Sequence, residues 1–225
     1  MPARLRPTAP NAADAVLVGD PGRALMLAQE LLQQPKMSNH ARGLWGYTGL
    51  THEGHELTVQ STGMGGPSAT VVLHDLAELG VRRAVRVGTC TSLGSLKLGD
   101  LVVVTAAHPL RGSFRTLSDR KEPRDAVAPD RNLTAALEET LGEEGCRGAV
   151  ASLDALHRHQ ASSEVDGDVA DMQTAALFTA ADHLGVEVAA ALVVSETSEG
   201  ETIGDEELEA AAKRAGKAAA AILSP

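Results

Sequence analysis

Short apolar runs alternate along this chain with longer amphipathic ones. That alternation restricts the fold most, because it calls for a β-sheet covered by helices, an α/β architecture. Residues 15–18 read as a strand, followed by the turn Gly19-Asp20-Pro21-Gly22 and a helix running through Leu32. Asp20 then Pro21 suits a helix N-cap with proline in the first turn, where no amide hydrogen is needed. Residues 44–50 and 57–61 read as strands joined by the polar turn Thr51-His52-Glu53-Gly54. Pro67 then opens a helix that reaches about Leu79, and Gly80 stops it. Further strands are predicted over 84–87, 101–106, 149–152 and 188–194, and further helices over 131–141, 172–184 and 206–222. No linker rich in Gly, Ser or Pro divides the chain, so residues 1–225 are expected to form a single domain. The charged stretch 113–131, with two prolines, reads as a surface excursion.

Only Trp45, Tyr47, Phe114 and Phe178 are aromatic, so the core has to be built from Ala, Val and Leu. The 20 Lys and Arg against 30 Asp and Glu leave a net charge of −10. A nucleic-acid partner needs a basic surface and is excluded on that ground, whereas a small anion can still be held by a local arginine cluster. Cys90 and Cys146 are too few for a disulfide scaffold or a zinc site, and no metal is expected. Residues 1–16 carry no apolar signal core, and no stretch is apolar enough to span a bilayer, so the expectation is a cytoplasmic protein without a membrane partner.

Three familiar motifs are approached and missed. Gly63-Met64-Gly65-Gly66-Pro67-Ser68 ends a dinucleotide loop on serine, with a proline inside it. Residues 94–100 begin like a phosphate-binding loop but place Asp100 where its lysine must stand. His52-Glu53-Gly54-His55 is one residue short of zinc-protease spacing and suits a hairpin turn. The arginines are more informative. Arg23 follows the first strand, Arg42 precedes Gly43, and Arg86 stands inside the apolar run Ala84-Val85-Arg86-Val87. A buried guanidinium costs several kcal/mol, on the order of an isolated charge, unless something pairs with it. Either a carboxylate partners Arg86 or an anionic ligand does, at the carboxyl end of the sheet where α/β proteins bind ligands. Backbone amides of the glycine-rich turns and the Thr89 hydroxyl would complete such a cradle.

Gly19-Asp20-Pro21-Gly22-Arg23, Arg42-Gly43 with Gly46-Tyr47-Thr48-Gly49, and Ser61-Thr62-Gly63-Met64-Gly65-Gly66-Pro67-Ser68-Ala69 resemble, in order, signatures of the hexameric purine nucleoside and uridine phosphorylases. Arg86-Val87-Gly88-Thr89-Cys90 with Gly99-Asp100-Leu101-Val102, then Asp171-Met172-Gln173-Thr174-Ala175-Ala176-Leu177-Phe178 and Val193-Val194-Ser195-Glu196, resemble the later ones. The order holds from about residue 14 to 223. The resemblance implies a mixed central sheet in a three-layer fold. It also implies phosphorolysis of a nucleoside to free base and (deoxy)ribose 1-phosphate, with inorganic phosphate as co-substrate and no other cofactor. Gly19, Arg23, Arg86 and Thr89 would hold phosphate, and Arg42 would reach the same anion from a neighbouring subunit. A dimer is then the minimum active unit and a hexamer the expected homo-oligomer. Arginine forks suit a tetrahedral anion better than lysines do.

By the same resemblance Met172 and Gln173 face the ribose, and Thr91, Leu156, Gln160, Asp171, Ser195 and Glu196 face the base. Arg86 and Glu196 are the expected catalytic residues. Four positions depart from the family pattern. Gln173 replaces the acid that binds both ribose hydroxyls, Glu196 replaces the aspartate that protonates a departing purine, Thr91 replaces a glycine, and residues 1–39 contain no histidine. Residues 154–160 partly echo a pyrimidine-binding segment, with Gln160 at the base-reading position, Leu156 in place of the stacking aromatic and Ser162 in place of its arginine; a surface loop is the other reading. Glu196 favours a purine nucleoside, whereas Gln160 and Thr89 lean towards uridine. A hydrolase using water and a nucleoside- or anion-binding protein are the rival functions.

Overall fold

The structure is a computed structural model that describes residues 4–109, 126–154 and 166–224. In chain order these residues form β1 (Asp14–Val18), α1 (Pro21–Leu31), β2 (Leu32–Asn39), β3 (Gly46–Thr51), β4 (Glu56–Ser61), α2 (Gly66–Glu78), β5 (Arg83–Ser92) and β6 (Leu101–Pro109). There follow α3 (Arg131–Leu141), β7 (Gly145–Ser152), β8 (Val169–Asp171), α4 (Thr174–Leu184), β9 (Glu187–Thr197) and α5 (Asp205–Leu223). The nine strands make one sheet in the order β2-β3-β4-β1-β5-β8-β7-β6-β9, and β9 pairs with β5 as well. The second pairing closes β5, β8, β7, β6 and β9 into a ring, while β1 to β4 extend from it as an open wing.

The sheet is mixed, as expected. Strand β1 is parallel to β4 and β5, and β5 to β9, whereas β5–β8 and β6–β9 run antiparallel. Side chains alternate between two cores. Ala15, Leu17, Ala84, Cys90, Ala190, Leu192 and Val194 face α2 and α4, and Val16, Val18, Val85, Val87, Ala189, Ala191 and Val193 face α1, α3 and α5. Helices therefore cover both faces, which is why the strands read as unbroken apolar runs rather than as an alternating pattern. Alanine, valine and leucine fill these layers, with Tyr47 and Phe178 as the buried aromatics among the described residues.

Strand β5 organises the sheet. Its first residues pair with β1 as far as Leu17↔Arg86, and its last two pair with β8 at Thr91↔Ala170 and Ser92↔Val169. Along its whole length it also pairs with β9, from Arg83↔Glu187 to Ser92↔Thr197. Beyond Arg86 the partner on one side thus changes from β1 to β8, and the sheet forks there. Because β8 runs against β5, its last residue, Asp171, arrives at the fork.

Strands β6, β7 and β9 are three or four residues longer than the sequence predicts, and three other elements depart further. Strand β5 continues past Val87 to Ser92 because β9 supplies ladder partners throughout. Strand β2 was not predicted: it is polar, contains Pro35, and is bulged around Gln34, whose φ of 47° is left-handed. Those features suit an edge strand, and the backbone amide of Thr8 donates to the Ser38 carbonyl along that edge. Strand β8 has three residues and carries no periodicity to read. The excursion expected over 113–131 lies mostly outside the described residues; from its end, Val127 bridges to Ala107 and Asp130 caps α3. No helix among the described residues is long and apolar enough to cross a membrane.

The Ala-rich helix α5 lies close to α1 because its buried face is small. A Cβ placed on Gly216 would stand 2.7 Å from Leu27 Cδ2. Leu27→Ala is expected to cost about 2–5 kcal/mol of unfolding free energy by opening a cavity. Gly216→Ala in that background should restore part of the loss, with a coupling of roughly 0.5–3 kcal/mol in a denaturant-unfolding double-mutant cycle. Additive effects would mean that the helices do not share this contact.

Candidate functional site

Three helices begin at one place. Helix α1 starts after β1 through Gly19 and Asp20, whose carboxylate caps it by accepting from the Arg23 amide at 2.7 Å. Helix α2 starts after β4 through the turn Thr62-Gly63-Met64-Gly65, with φ of +71° at Gly63 and +81° at Gly65. Both values favour glycine over any residue with a side chain. Helix α4 starts after β8, with Gln173 at its N-cap position. The three connections touch: a Cβ on Gly19 would meet the Gly63 carbonyl oxygen at 3.6 Å and Gln173 Oε1 at 4.0 Å. Helix N-termini carry partial positive charge and unpaired amides, so this corner of the sheet attracts anions.

Arg86 enters the same corner from the fork in β5 and is 4% exposed. Its Nη2 donates to Asp171 Oδ2 at 3.0 Å, its Nη1 to Gln173 Oε1 at 2.5 Å and its Nε to Thr174 Oγ1 at 3.2 Å. The carboxylate partner considered from sequence is therefore present, and it is Asp171. Asp171 is itself saturated: Ser152 Oγ donates to its Oδ1 at 2.6 Å, Thr174 Oγ1 to its Oδ2 at 2.6 Å, and the Thr174 amide reaches both oxygens. At 1% exposure its side chain is buried against Arg86, the contact it makes here in place of the base expected from the sequence. A guanidinium offers five N–H donors, and the three bonds above leave one on each terminal nitrogen of Arg86 uncommitted among the described residues. Gly88 makes this pose possible, since a Cβ there would stand 2.6 Å from Arg86 Nη2 and 2.7 Å from its Cζ.

Arg23 completes a cationic pair. Burial holds its guanidinium below the usual arginine pKa, Asp20 opposes that shift, and the positive charge of Arg86 adds to it. The Arg23 guanidinium forms no hydrogen bond or ion pair with any described residue. Two guanidiniums that repel each other, with spare donors and three helix N-termini around them, make a site for a multivalent oxyanion. Thr89 is half-buried three residues beyond Arg86, and its hydroxyl has no hydrogen-bond partner among the described residues. Arg42 lies on the connection between β2 and β3. It is exposed in a single helical turn, Ala41–Gly43, with a left-handed φ of 61°.

The residues expected around the base and sugar are placed as follows. Strand β9 bulges after Val194, so Thr91 aligns with Glu196, and Ser195 Oγ donates to the Cys90 carbonyl at 3.3 Å. Thr91, Ser195, Glu196 and Met172 are each half-buried. Glu196 closes a strand, bridging to Thr202, and does not begin a helix. Leu156 and Gln160 lie outside the described residues. Gln173 is buried, and both ends of its amide are engaged: Oε1 accepts from Arg86 and from Thr62 Oγ1 at 3.3 Å, while Nε2 donates to the carbonyls of Gly63 at 2.6 Å and Gly65 at 3.3 Å. Burial, together with the nearby Asp171 charge, pushes the Cys90 thiol far up, so Cys90 is no thiolate nucleophile. Among the described residues His74, Asp75 and Glu78 form one group with metal-ligand spacing, but Asp75 already accepts the amides of Arg4 and Leu5.

Ser152, Thr174 and Gly88 belong to the site as well. Gly88 and Thr174 stood inside quoted motifs, whereas nothing in the sequence marks Ser152, which meets Asp171 only because β7 and β8 pair in register at these two residues.

The profile of the Phosphorylase superfamily matches residues 14–225. A DeoD-type purine nucleoside phosphorylase of Alkaliphilus metalliredigens is 30% identical over 215 residues, covering 85% of this chain and 86% of its own. One from Clostridium perfringens is 31% identical over 191 residues, with 80% of each chain covered. The crystal structure of purine nucleoside phosphorylase from Toxoplasma gondii in complex with immucillin-H superposes with a TM-score of 0.81 at 22% identity. It covers 95% of this chain and 92% of that one, which establishes the shared fold.

Gly88→Ala tests the anion site directly. The added methyl should push the guanidinium of Arg86 aside and weaken inorganic phosphate binding by about tenfold or more in a calorimetric titration. Unchanged affinity would mean that Arg86 does not contact the anion.

Proposed function

Because the chain belongs to the Phosphorylase superfamily, we propose that it splits the N-glycosidic bond of a purine nucleoside with inorganic phosphate, releasing free base and (deoxy)ribose 1-phosphate. The observation that carries this reading is the Arg23–Arg86 pair with its uncommitted donors at the meeting point of three helix N-termini. A hydrolase would need no such cradle, since its nucleophile is a neutral water.

Phosphate attacks the anomeric carbon while the base departs through an oxocarbenium-like state. The protein has to hold a charged nucleophile in line and stabilise charge as it moves. Arg23, Arg86, Thr89 and the amides following Gly19 do the first. Asp171 acts one step behind, holding Arg86 in place as a positioning residue. Glu196, opposite Thr91 at the end of β9, donates the proton that lets the purine leave. Thr91, Ser195, Met172 and the segment carrying Leu156 and Gln160 frame the base and sugar. Gln173 replaces the carboxylate expected at the sugar. Phosphate is the co-substrate, and the chemistry needs no other cofactor. With nucleoside and phosphate both drawn from solution, we take the cytoplasm as the place of action.

Arg42 supports an oligomeric enzyme. It is exposed and held in a left-handed turn, as suits a residue lent to a neighbour. The hairpin around it also exposes Met37 (42%) and Leu50 (45%), apolar surface of the kind that subunit contacts cover. A dimer is the smallest assembly that completes the site, and a hexamer built as a trimer of such dimers is the arrangement we propose.

Release of base from inosine, adenosine, guanosine and uridine, each with and without phosphate, tests the reaction. Phosphate-dependent release from a purine nucleoside is the expected result, and release independent of phosphate would overturn it. Arg86→Ala should lower phosphate-dependent kcat/KM by about 2–4 kcal/mol of transition-state binding. A change within a few-fold of wild type would make Arg86 a structural ion-pair residue. Mixing Arg42→Ala with Arg86→Ala protomers should restore about a quarter of the wild-type rate, because mixed dimers regain one intact site. No recovery on mixing would place Arg42 in its own subunit's site or in none.

A further inference from the structure

Gln173 makes a set of contacts that the reaction as described does not use. One face of its amide accepts from Arg86 Nη1 and Thr62 Oγ1, and the other donates to the carbonyls of Gly63 and Gly65. The side chain is 3% exposed, so these bonds are shielded from competing water. Thr62 is tied in turn to β1 by its backbone amide, which donates to the Val18 carbonyl at 2.7 Å and leaves the hydroxyl proton for Gln173. Of the residues that could stand here, only glutamine has both the reach and the paired chemistry. A glutamate would set a carboxylate oxygen against two carbonyl oxygens, a methionine offers neither donor nor strong acceptor, and an asparagine is one methylene short.

We propose that Gln173 is a positioning residue that couples the Thr62-Gly63-Met64-Gly65 turn to the anion-binding guanidinium of Arg86. Through this one amide the turn and the guanidinium move together. An anion that fixes Arg86 therefore also fixes the turn, and the turn, which carries Met64 at 85% exposure, is set for the second substrate by the first. The proposal rests on phosphate being the ligand of Arg86, the reading given above.

Hydrogen exchange of the backbone amides in residues 62–66, with and without inorganic phosphate, reads the coupling without any turnover. In the wild-type protein phosphate should slow exchange there by about tenfold, and in Gln173→Met and Gln173→Glu by less than about twofold. Phosphate affinity is measured on each variant by calorimetry, and exchange in β9 checks that each is folded. Gln173→Asn, which keeps the amide but shortens its reach, carries the same test should the other two fail to fold, and should lose the phosphate response as they do. A response that persists in Gln173→Met would mean that phosphate protects the turn by direct contact, and would overturn the proposal. So would a Gln173→Glu protein that behaves like the parent. A wild-type protein that binds no phosphate at all would instead sink the reading of the anion site, an outcome that calorimetry separates from the first two.

Discussion

The burial of Arg86 is the constraint on which the rest of the site depends. A guanidinium at 4% exposure is tolerable only when its donors are met, and the fold meets three of them from one short stretch, Asp171, Gln173 and Thr174. Removing one member of a buried pair of this kind costs about 3–5 kcal/mol, because the other charge is left stranded. Strand β8 and the start of α4 are thereby tied to β5 by polar bonds as well as by the two-residue ladder. The requirement also reaches the backbone, since Gly88 leaves its Cβ position empty for the guanidinium to occupy.

That structural pairing does not quench the site. Asp171 balances one positive charge, while Arg23, Arg86 and three helix N-termini all contribute positive potential to the same small volume. Burial is the main reason the Arg23 guanidinium is held below its usual pKa, and the charge of Arg86 adds to that through mutual repulsion. In the proposed function the anion relieves that repulsion. An acidic protein, at −10 overall, thus concentrates positive charge at one interior corner.

Where the two halves of the sheet part decides where chemistry can occur. Strand β5 exchanges β1 for β8 beyond Arg86, and the opening between them is where the connections after β1, β4 and β8 meet. Ligands bind at such topological switch points because the loops there diverge and leave a crevice. The bulge after Val194 places Glu196 opposite Thr91 on the other flank of β5, five positions along that strand from Arg86.

The sequence by itself determined the layered α/β class, most of the helices and central strands, and the importance of Arg86. Apolar periodicity, capping residues and a charge in an apolar run are local signals that survive without knowledge of partners. The helix Arg131–Leu141 was legible to its ends because Asp130 and Gly142 punctuate it. Only the tertiary structure decided what depends on residues far apart in the chain. Strand β2 is polar and bulged and is held as a strand by β3; β8 is too short to have a period and is held by β5 and β7. Whether Arg86 meets a carboxylate or a ligand was open in the sequence, and the fold answers with Asp171, 85 residues away, and two donors to spare. The engagement of Gln173 on both faces was equally hidden, because hydrogen-bond partners are set by the meeting of three loops, and no local pattern encodes that meeting.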